Sequence, residues 1–352
     1  MRRFIKKLIF LLPIPIIIVC VNYFGDAANI FYKQGFYEKG IVKILGTNKN
    51  VNNLDNYDER LLQKFYVDNL SSPKDVVILG SSRAMQVSSK ILNEKNMFNS
   101  SVSGASLEDL MAVYGIYKKD NKLPKKIILE LDPWILNKNN GQNRWKSIKE
   151  YYFYVSNLVN NNKYKESLID EKTLELISLS YFQSSLKKVT DKGEKGYTPT
   201  ELEYCNTNVK KMDGSLSYNE KFRNKTVDEV DKEAIKYASQ NPIYCFGNFE
   251  NIDENYKKQF EGLINLMKKD GVEIEFLLTP YHPIVYDKLV SSSDYKIVVD
   301  VEKYFKSFAK KENIKVYGSY NPEIVSCTKE DFYDGMHVKP SGIVKIFNRN
   351  TK

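Results

Sequence analysis

Two stretches of this chain alternate short apolar, β-branched runs with amphipathic helical repeats, and a long polar interval separates them. In the first stretch, 75–79 reads as a buried strand, and Gly80, Ser81 and Ser82 turn out of it into a helix. A second strand is expected over 97–102, and Ser106 with Asp109 forms a capping-box pattern that opens a helix over 107–117. The run 126–131 is a third strand, bounded by Pro133. In the second stretch, Phe260, Leu263, Ile264 and Met267 share one face of a helix over 256–269 that feeds a strand at 272–278. A helix over 295–311 precedes a strand at 314–317, and after the polar loop 331–340 Ser341 is expected to cap a final short helix. This alternation encodes an α/β fold with a parallel sheet and helices on both faces.

The polar interval, about 137–251, is rich in Asn, Lys and Tyr. It offers helical stretches at 145–159 and 171–186 but no evident strand, so it reads as a helical insertion on the sheet. The other end is organised differently. Residues 1–7 are basic, 8–24 form an uncharged apolar run that includes Pro13, Pro15 and Asn22, and 25–71 read as a stalk with an entry helix at 59–66. The sheet domain occupies 72–349. An apolar run of about 17 residues is at the short end of what spans a bilayer as a helix. Basic residues ahead of it place the N-terminus in the cytoplasm, which predicts a single-pass anchor in the cell membrane with everything after Gly25 outside the cell. Cleavage as a secretory signal near Ala27 and Ala28 is the competing reading. Cys20 is expected to be one more apolar helix residue, because Val19 is bulky where lipoprotein signals require a small side chain.

Composition narrows the choice of partner. With 352 residues, 42% of them hydrophobic, the chain can bury a full core. The formal net charge is +9, and Arg2, Arg3, Lys6 and Lys7 supply four of those charges. The remaining excess suits an anionic polymer or a membrane surface. The lysines are scattered among glutamates and no helix gathers a basic stripe, which argues against nucleic acid. Beyond the apolar run lie Cys205, Cys245 and Cys327, an odd number with no C-x-x-C spacing, so neither a disulfide framework nor a structural zinc site is indicated. A Cys205–Cys245 pair stays open.

Candidate chemistry lies where a parallel strand ends, because backbone N–H groups and the dipole of the next helix converge there. Gly80-Ser81-Ser82-Arg83 holds that position. A serine there is by itself more often an N-cap. To act as a nucleophile it needs a base, and the base needs a third group to fix its tautomer. The chain has two histidines, and one of them, His337, lies three residues after Asp334 in a turn-rich loop.

With these residues the chain resembles the SGNH, or GDSL-like, hydrolase superfamily, whose first motif sets the nucleophilic serine after a strand and whose last is Asp-x-x-His. The resemblance covers roughly 72–136 and 256–349 and implies a three-layer, flavodoxin-like fold. It assigns Ser82 as nucleophile and Asp334 and His337 as acid and base. The Ser82 N–H and the N–H of Gly104, which follows the second strand, become oxyanion donors. The family's third donor is an asparagine after the next strand, where this chain has Asp132, which accepts hydrogen bonds but donates none when ionised. Asn137 or Arg83 then stands in, or the backbone acts alone. Arg83, His282 and Trp134 are expected at the substrate, with Trp134 and Arg144-Trp145 as a platform for sugar or acyl groups.

Within the superfamily the resemblance is to membrane-anchored cell-envelope members, those that D-alanylate teichoic acid or O-acetylate alginate. It implies a Ser-His-Asp acyltransferase or acylesterase that needs no cofactor and no metal. Its partners would be a membrane-bound O-acyltransferase as donor and a cell-surface polysaccharide or teichoic acid as acceptor. Two other readings are a non-catalytic, glycopolymer-binding accessory with a degenerate site, supported by Asp132, and a secreted lipase, disfavoured because no apolar lid segment is evident.

Overall fold

The computed structural model describes residues 13–27, 31, 34–54, 57–160, 171–190 and 196–348. Nine strands form among them: β1 (Asn50–Asn52), β2 (Val76–Leu79), β3 (Met97–Asn99), β4 (Lys126–Glu130), β5 (Thr198–Thr200), β6 (Val209–Lys210), β7 (Leu216–Ser217), β8 (Glu273–Leu278) and β9 (Lys315–Gly318). Five of them make a parallel sheet in the order β3-β2-β4-β8-β9. Val77 is registered against Phe98 on one side and Ile127 on the other, and Leu129 against Phe276.

All four residues of β2 are buried, as a central strand covered on both faces requires. Strand periodicity sends alternate side chains to opposite faces. Val77, Leu79, Ile127, Leu129, Phe276 and Leu278 join one core, packed under the helices Leu107–Lys119, Lys149–Asn160, Glu254–Lys269 and Ile297–Glu312. Val76, Ile78, Ile128 and Leu277 join a second core with Ile343 and Ile346 of helix Pro340–Asn348. Each such side chain contributes roughly 1.5–3 kcal/mol when it leaves water.

The Ser106–Asp109 capping box forms as expected. Ser341 does not cap the last helix, which begins at Pro340; its hydroxyl lies inside the first turn and donates to Asp331 Oδ1 at 3.0 Å.

Two expectations about the flanking segments change. In place of a stalk, 34–70 carry helix Phe36–Leu45, β1 and helix Glu59–Asp68, built around Ile41, Val42, Leu45, Val51 and Leu62. The insertion contains three strands, each only two or three residues long, too short to show an alternating pattern. They join β1 in an antiparallel sheet of order β5-β1-β6-β7, so the two segments fold together.

The expected anchor is described only in part. Helix Pro13–Gly25 has 13 residues, about 20 Å of rise against the ~30 Å of a bilayer core. Among the described residues no helix is long and apolar enough to cross a membrane. The basic segment 1–7 and the start of the apolar run, 8–12, lie outside the described residues.

Candidate active site

Ser82 opens a short 3₁₀ turn directly after β2, and its position follows from two neighbours. A Cβ on Gly80 would sit 2.5 Å from Glu130 Cβ and 2.7 Å from Glu130 Oε2, so close approach of β2 and β4 demands glycine there. Positive φ does not enter, because Gly80 is absent from the residues with that geometry. Ser81 takes the N-cap role, its Oγ accepting from the Arg83 N–H at 3.1 Å. Ser82 is thereby left to other chemistry.

Its Oγ lies 2.9 Å from His337 Nε2, across 255 residues of chain. His337 Nδ1 lies 2.8 Å from Asp334 Oδ2. Asp334 Oδ1 accepts the N–H groups of Met336 and His337 at 2.9 and 2.8 Å, which curls the loop so that the carboxylate faces the ring. Burial acts to raise the Asp334 pKa, but the His337 charge and these hydrogen bonds outweigh it and hold the group at about 2. An ionised carboxylate only accepts, so Nδ1 carries its proton and Nε2 is free to accept from the Ser82 hydroxyl. The three side chains are hydrogen-bonded in series, an arrangement able to relay a proton.

Ser82 and His337 line a cavity of about 320 Å³. Met85 and Ser103 of the sheet domain also line it, and its remaining walls come from the N-terminal segment (Leu54, Tyr57 and Glu59) and the insertion (Asn208, Leu216 and Tyr218). Tyr218 stacks edge-on against the His337 ring, centroids 5.8 Å apart, and its hydroxyl reaches the Ser82 carbonyl at 3.5 Å. Burial, then the Asp334 charge, push the Tyr218 phenol well above its ordinary pKa, so it stays protonated. Periodicity did not reveal these residues. The one local signal was Asp213-Gly214, a hairpin turn sequence between β6 and β7.

The loop after β3 is held by the entry helix. Glu59 accepts from the Ser103 N–H and hydroxyl, at 2.5 and 2.9 Å, and Arg60 Nη2 donates to the Ser103 carbonyl at 2.9 Å. Gly104 follows with φ +56°, and Arg144, Tyr244 and Gln142 crowd the space a Cβ would need. Among the described residues neither the Ser82 nor the Gly104 N–H has a protein acceptor.

Six of the sequence expectations are corrected. Asp132 is buried and accepts from Arg83 Nη1 at 2.6 Å, so it is no oxyanion donor. Arg83, expected at the substrate, is fully buried; it donates to the carbonyls of Met336, Thr279 and Pro280 and stacks on Tyr281 at 3.9 Å. Trp134 is a core residue whose Nε1 donates to the Ala105 carbonyl at 2.9 Å, next to Gly104. His282, also buried, caps helix Pro283–Ser291 through Nδ1 and donates its own N–H to the Gly335 carbonyl at 3.1 Å. Of the proposed substitute donors, Asn137 is committed to the carbonyls of Cys245 and Gly247. Trp145 packs against Tyr152 at 4.7 Å instead of presenting a platform.

Glu130 lies beneath the nucleophile and accepts from the Ser81 N–H and the Thr279 hydroxyl. Burial, and after it the Asp132 charge, push the Glu130 pKa well above the ordinary carboxylate range. Cys205 and Cys245 are free thiols. Among the described residues no three His, Cys, Asp or Glu side chains gather to hold a metal ion.

No protein-family model and no curated protein matches the chain.

Proposed function

We propose that this chain is an exported, membrane-anchored O-acyltransferase or acylesterase of SGNH type that acts on a cell-surface glycopolymer. The observation that carries the reading is the relay of 2.9 and 2.8 Å from Ser82 through His337 to Asp334, open to a cavity. Two further features support it. Counted by appearance in the sheet, the strand order is 2-1-3-4-5, as in flavodoxin-like folds, and Ser82 follows the strand at which that order reverses. The apolar run at 8–24 with its basic flank supports anchoring.

The chemistry runs in two halves. Ser82 Oγ attacks the carbonyl carbon of an acyl donor while His337 Nε2 takes its proton. The tetrahedral oxyanion is held by the N–H groups of Ser82 and Gly104. In place of an asparagine amide, the third donor is the protonated Tyr218 hydroxyl, which turns from its long 3.5 Å contact with the Ser82 carbonyl to the oxyanion. Collapse breaks the bond to the donor's leaving group, which takes the proton from His337, and leaves an ester on Ser82. An acceptor hydroxyl, from a polymer or from water, then gives its proton to His337 and attacks that ester, and Ser82 recovers the proton as it leaves. Asp334 stays ionised throughout and balances the imidazolium.

The donor would be a membrane-bound O-acyltransferase and the acceptor a polysaccharide or teichoic acid. Ser82→Ala tests the reading in cells: polymer acylation should vanish at unchanged protein level, and persisting acylation ends it. Asp132 in the place of the family's asparagine favours one rival, a non-catalytic accessory. Purified protein that binds polymer yet never labels at Ser82 with a fluorophosphonate would establish that rival instead.

A further inference from the structure

The joint between the N-terminal helix and the insertion has its polarity inverted. Helix Pro13–Gly25 meets the segment made of helix Glu171–Glu175 and helix Leu179–Thr190. Asn22 Nδ2 donates to the carbonyls of Glu175, Leu176 and Ser178 at 3.0, 2.9 and 3.0 Å. The Tyr181 hydroxyl donates to Asp26 Oδ1 at 2.8 Å, and the Ala27 N–H to Ser185 Oγ at 3.2 Å. Gly25 packs so closely that a Cβ there would sit 3.0 Å from that of Ser185. Asn22, Asp26 and Ser185 are fully buried in this joint.

The apolar side chains point the other way. Ile14, Ile16 and Ile17 are 54–55% exposed, and Leu174, Ile177 and Leu179 are 58–64% exposed. Helices that pack in water do the reverse, hiding the isoleucines and leucines and showing the asparagine and serine. Small residues and hydrogen-bonding side chains between helices, with aliphatic groups outward, are the arrangement of helices that pack in lipid.

We propose that 171–190 form a second membrane contact, lying in the interfacial zone of the bilayer beside the N-terminal helix. The occupant of the exposed apolar surface is lipid acyl chain. Continuity argues for it, because the same N-terminal helix belongs to the apolar run that begins at Leu8 behind four basic residues. Length argues for an in-plane pose: helix Leu179–Thr190 has 12 residues, about 18 Å, too short to cross. The sheet domain is then tethered at two points and held close to the membrane. The inference does not depend on acyl transfer; it shares with the proposed anchoring only that the N-terminal run meets a membrane.

The test uses the full chain reconstituted into phosphatidylglycerol/phosphatidylethanolamine vesicles, with Ile177→Trp as reporter and the unsubstituted protein as background for Trp134 and Trp145. The expected result is an added emission that is blue-shifted, lost when the lipid acyl chains carry bromine, and protected from aqueous iodide. Leu174→Trp should behave alike, so a local folding fault at one position does not decide the outcome. Protein that floats with the vesicles while both reporters stay open to iodide and blind to bromine overturns the second contact and leaves the anchor standing. Shielding from iodide without bromine quenching, the mark of a second copy or another protein on the surface, overturns the lipid assignment. Protein that does not float overturns both.

Discussion

Arg83 Nε donates to the carbonyl of Met336 at 3.2 Å, so the residue after Ser82 holds the residue before His337. The same guanidinium reaches Asp132 and the carbonyls of Thr279 and Pro280, tying together the turns that follow β2, β4 and β8. A planar fork with five donors matches this set of acceptors, and a lysine ammonium does not. The distance between Ser82 and His337 is therefore set from below, by a fully buried residue.

Arg83→Met is expected to cost about 3–5 kcal/mol, because it leaves the Asp132 charge buried without its partner. Arg83→Met with Asp132→Leu removes both charges and should recover much of that stability. Labelling of Ser82 by a fluorophosphonate should stay slow in both variants, since neither restores the hold on Met336. Urea midpoints and labelling rates, measured side by side, separate the two effects.

Asp334→Asn keeps the shape of the loop but lets the imidazole adopt the wrong tautomer, and a drop in labelling rate on the order of 10⁴ is expected. Stability should respond to acid in a defined window. The Asp334 pKa is lowered from 3.8 to about 2. The unfolded chain thus binds the proton first as pH falls, and the contribution, about 2 kcal/mol, is complete above about pH 4 and lost by about pH 2. Urea midpoints of the unsubstituted protein and Asp334→Asn should converge across that window; a constant gap contradicts the assignment.

His282 is buried, and burial pushes its pKa below 6.5 despite Asp231 at 3.3 Å from Nε2. A folded-state value below the unfolded one means stability that is present above about pH 6.5 and declines as pH falls. His282→Asn can keep the helix cap while removing the titration. Its thermal midpoint should therefore lose less between pH 7 and pH 5 than that of the unsubstituted protein, by calorimetry.

Tyr218→Phe removes one hydroxyl and keeps the ring against His337. If that hydroxyl steadies the oxyanion, labelling should slow by about 10²–10³ with the denaturation midpoint unchanged. An unaltered rate would move the third donor elsewhere, with Arg144 beside Gly104 the next residue to substitute.

Gly80→Ala must push apart β2 and β4 or move Glu130, at a cost of about 1–3 kcal/mol. Gly196→Ala is the control, since among the described residues nothing lies within 4 Å of a Cβ there. Denaturation midpoints should fall for the first and hold for the second.

Much of the frame was legible along the chain. Buried parallel strands leave runs such as Val76–Leu79, and capping boxes such as Ser106–Asp109 work within one helical turn, so local pattern was enough for the five-stranded sheet and its helices. The Asp334–His337 pair was legible for the same reason, since its hydrogen bonds span three residues. The cavity was not. Of its walls, Leu54, Asn208, Leu216 and Tyr218 lie in or beside strands of two or three residues that pair only because 34–70 and the insertion fold onto each other, and so short a strand has no period to read. Nor were Arg83, Trp134 and His282 legible as braces. An arginine beside a serine in a turn is ordinarily solvated, and here it is buried only because carbonyls and a carboxylate from several distant loops converge on it. Local chemistry along the chain decided which residues are able to react. Long-range packing decided which of them meet, because hydrogen-bond partners that come from separate loops are chosen by the fold and by no neighbour in sequence.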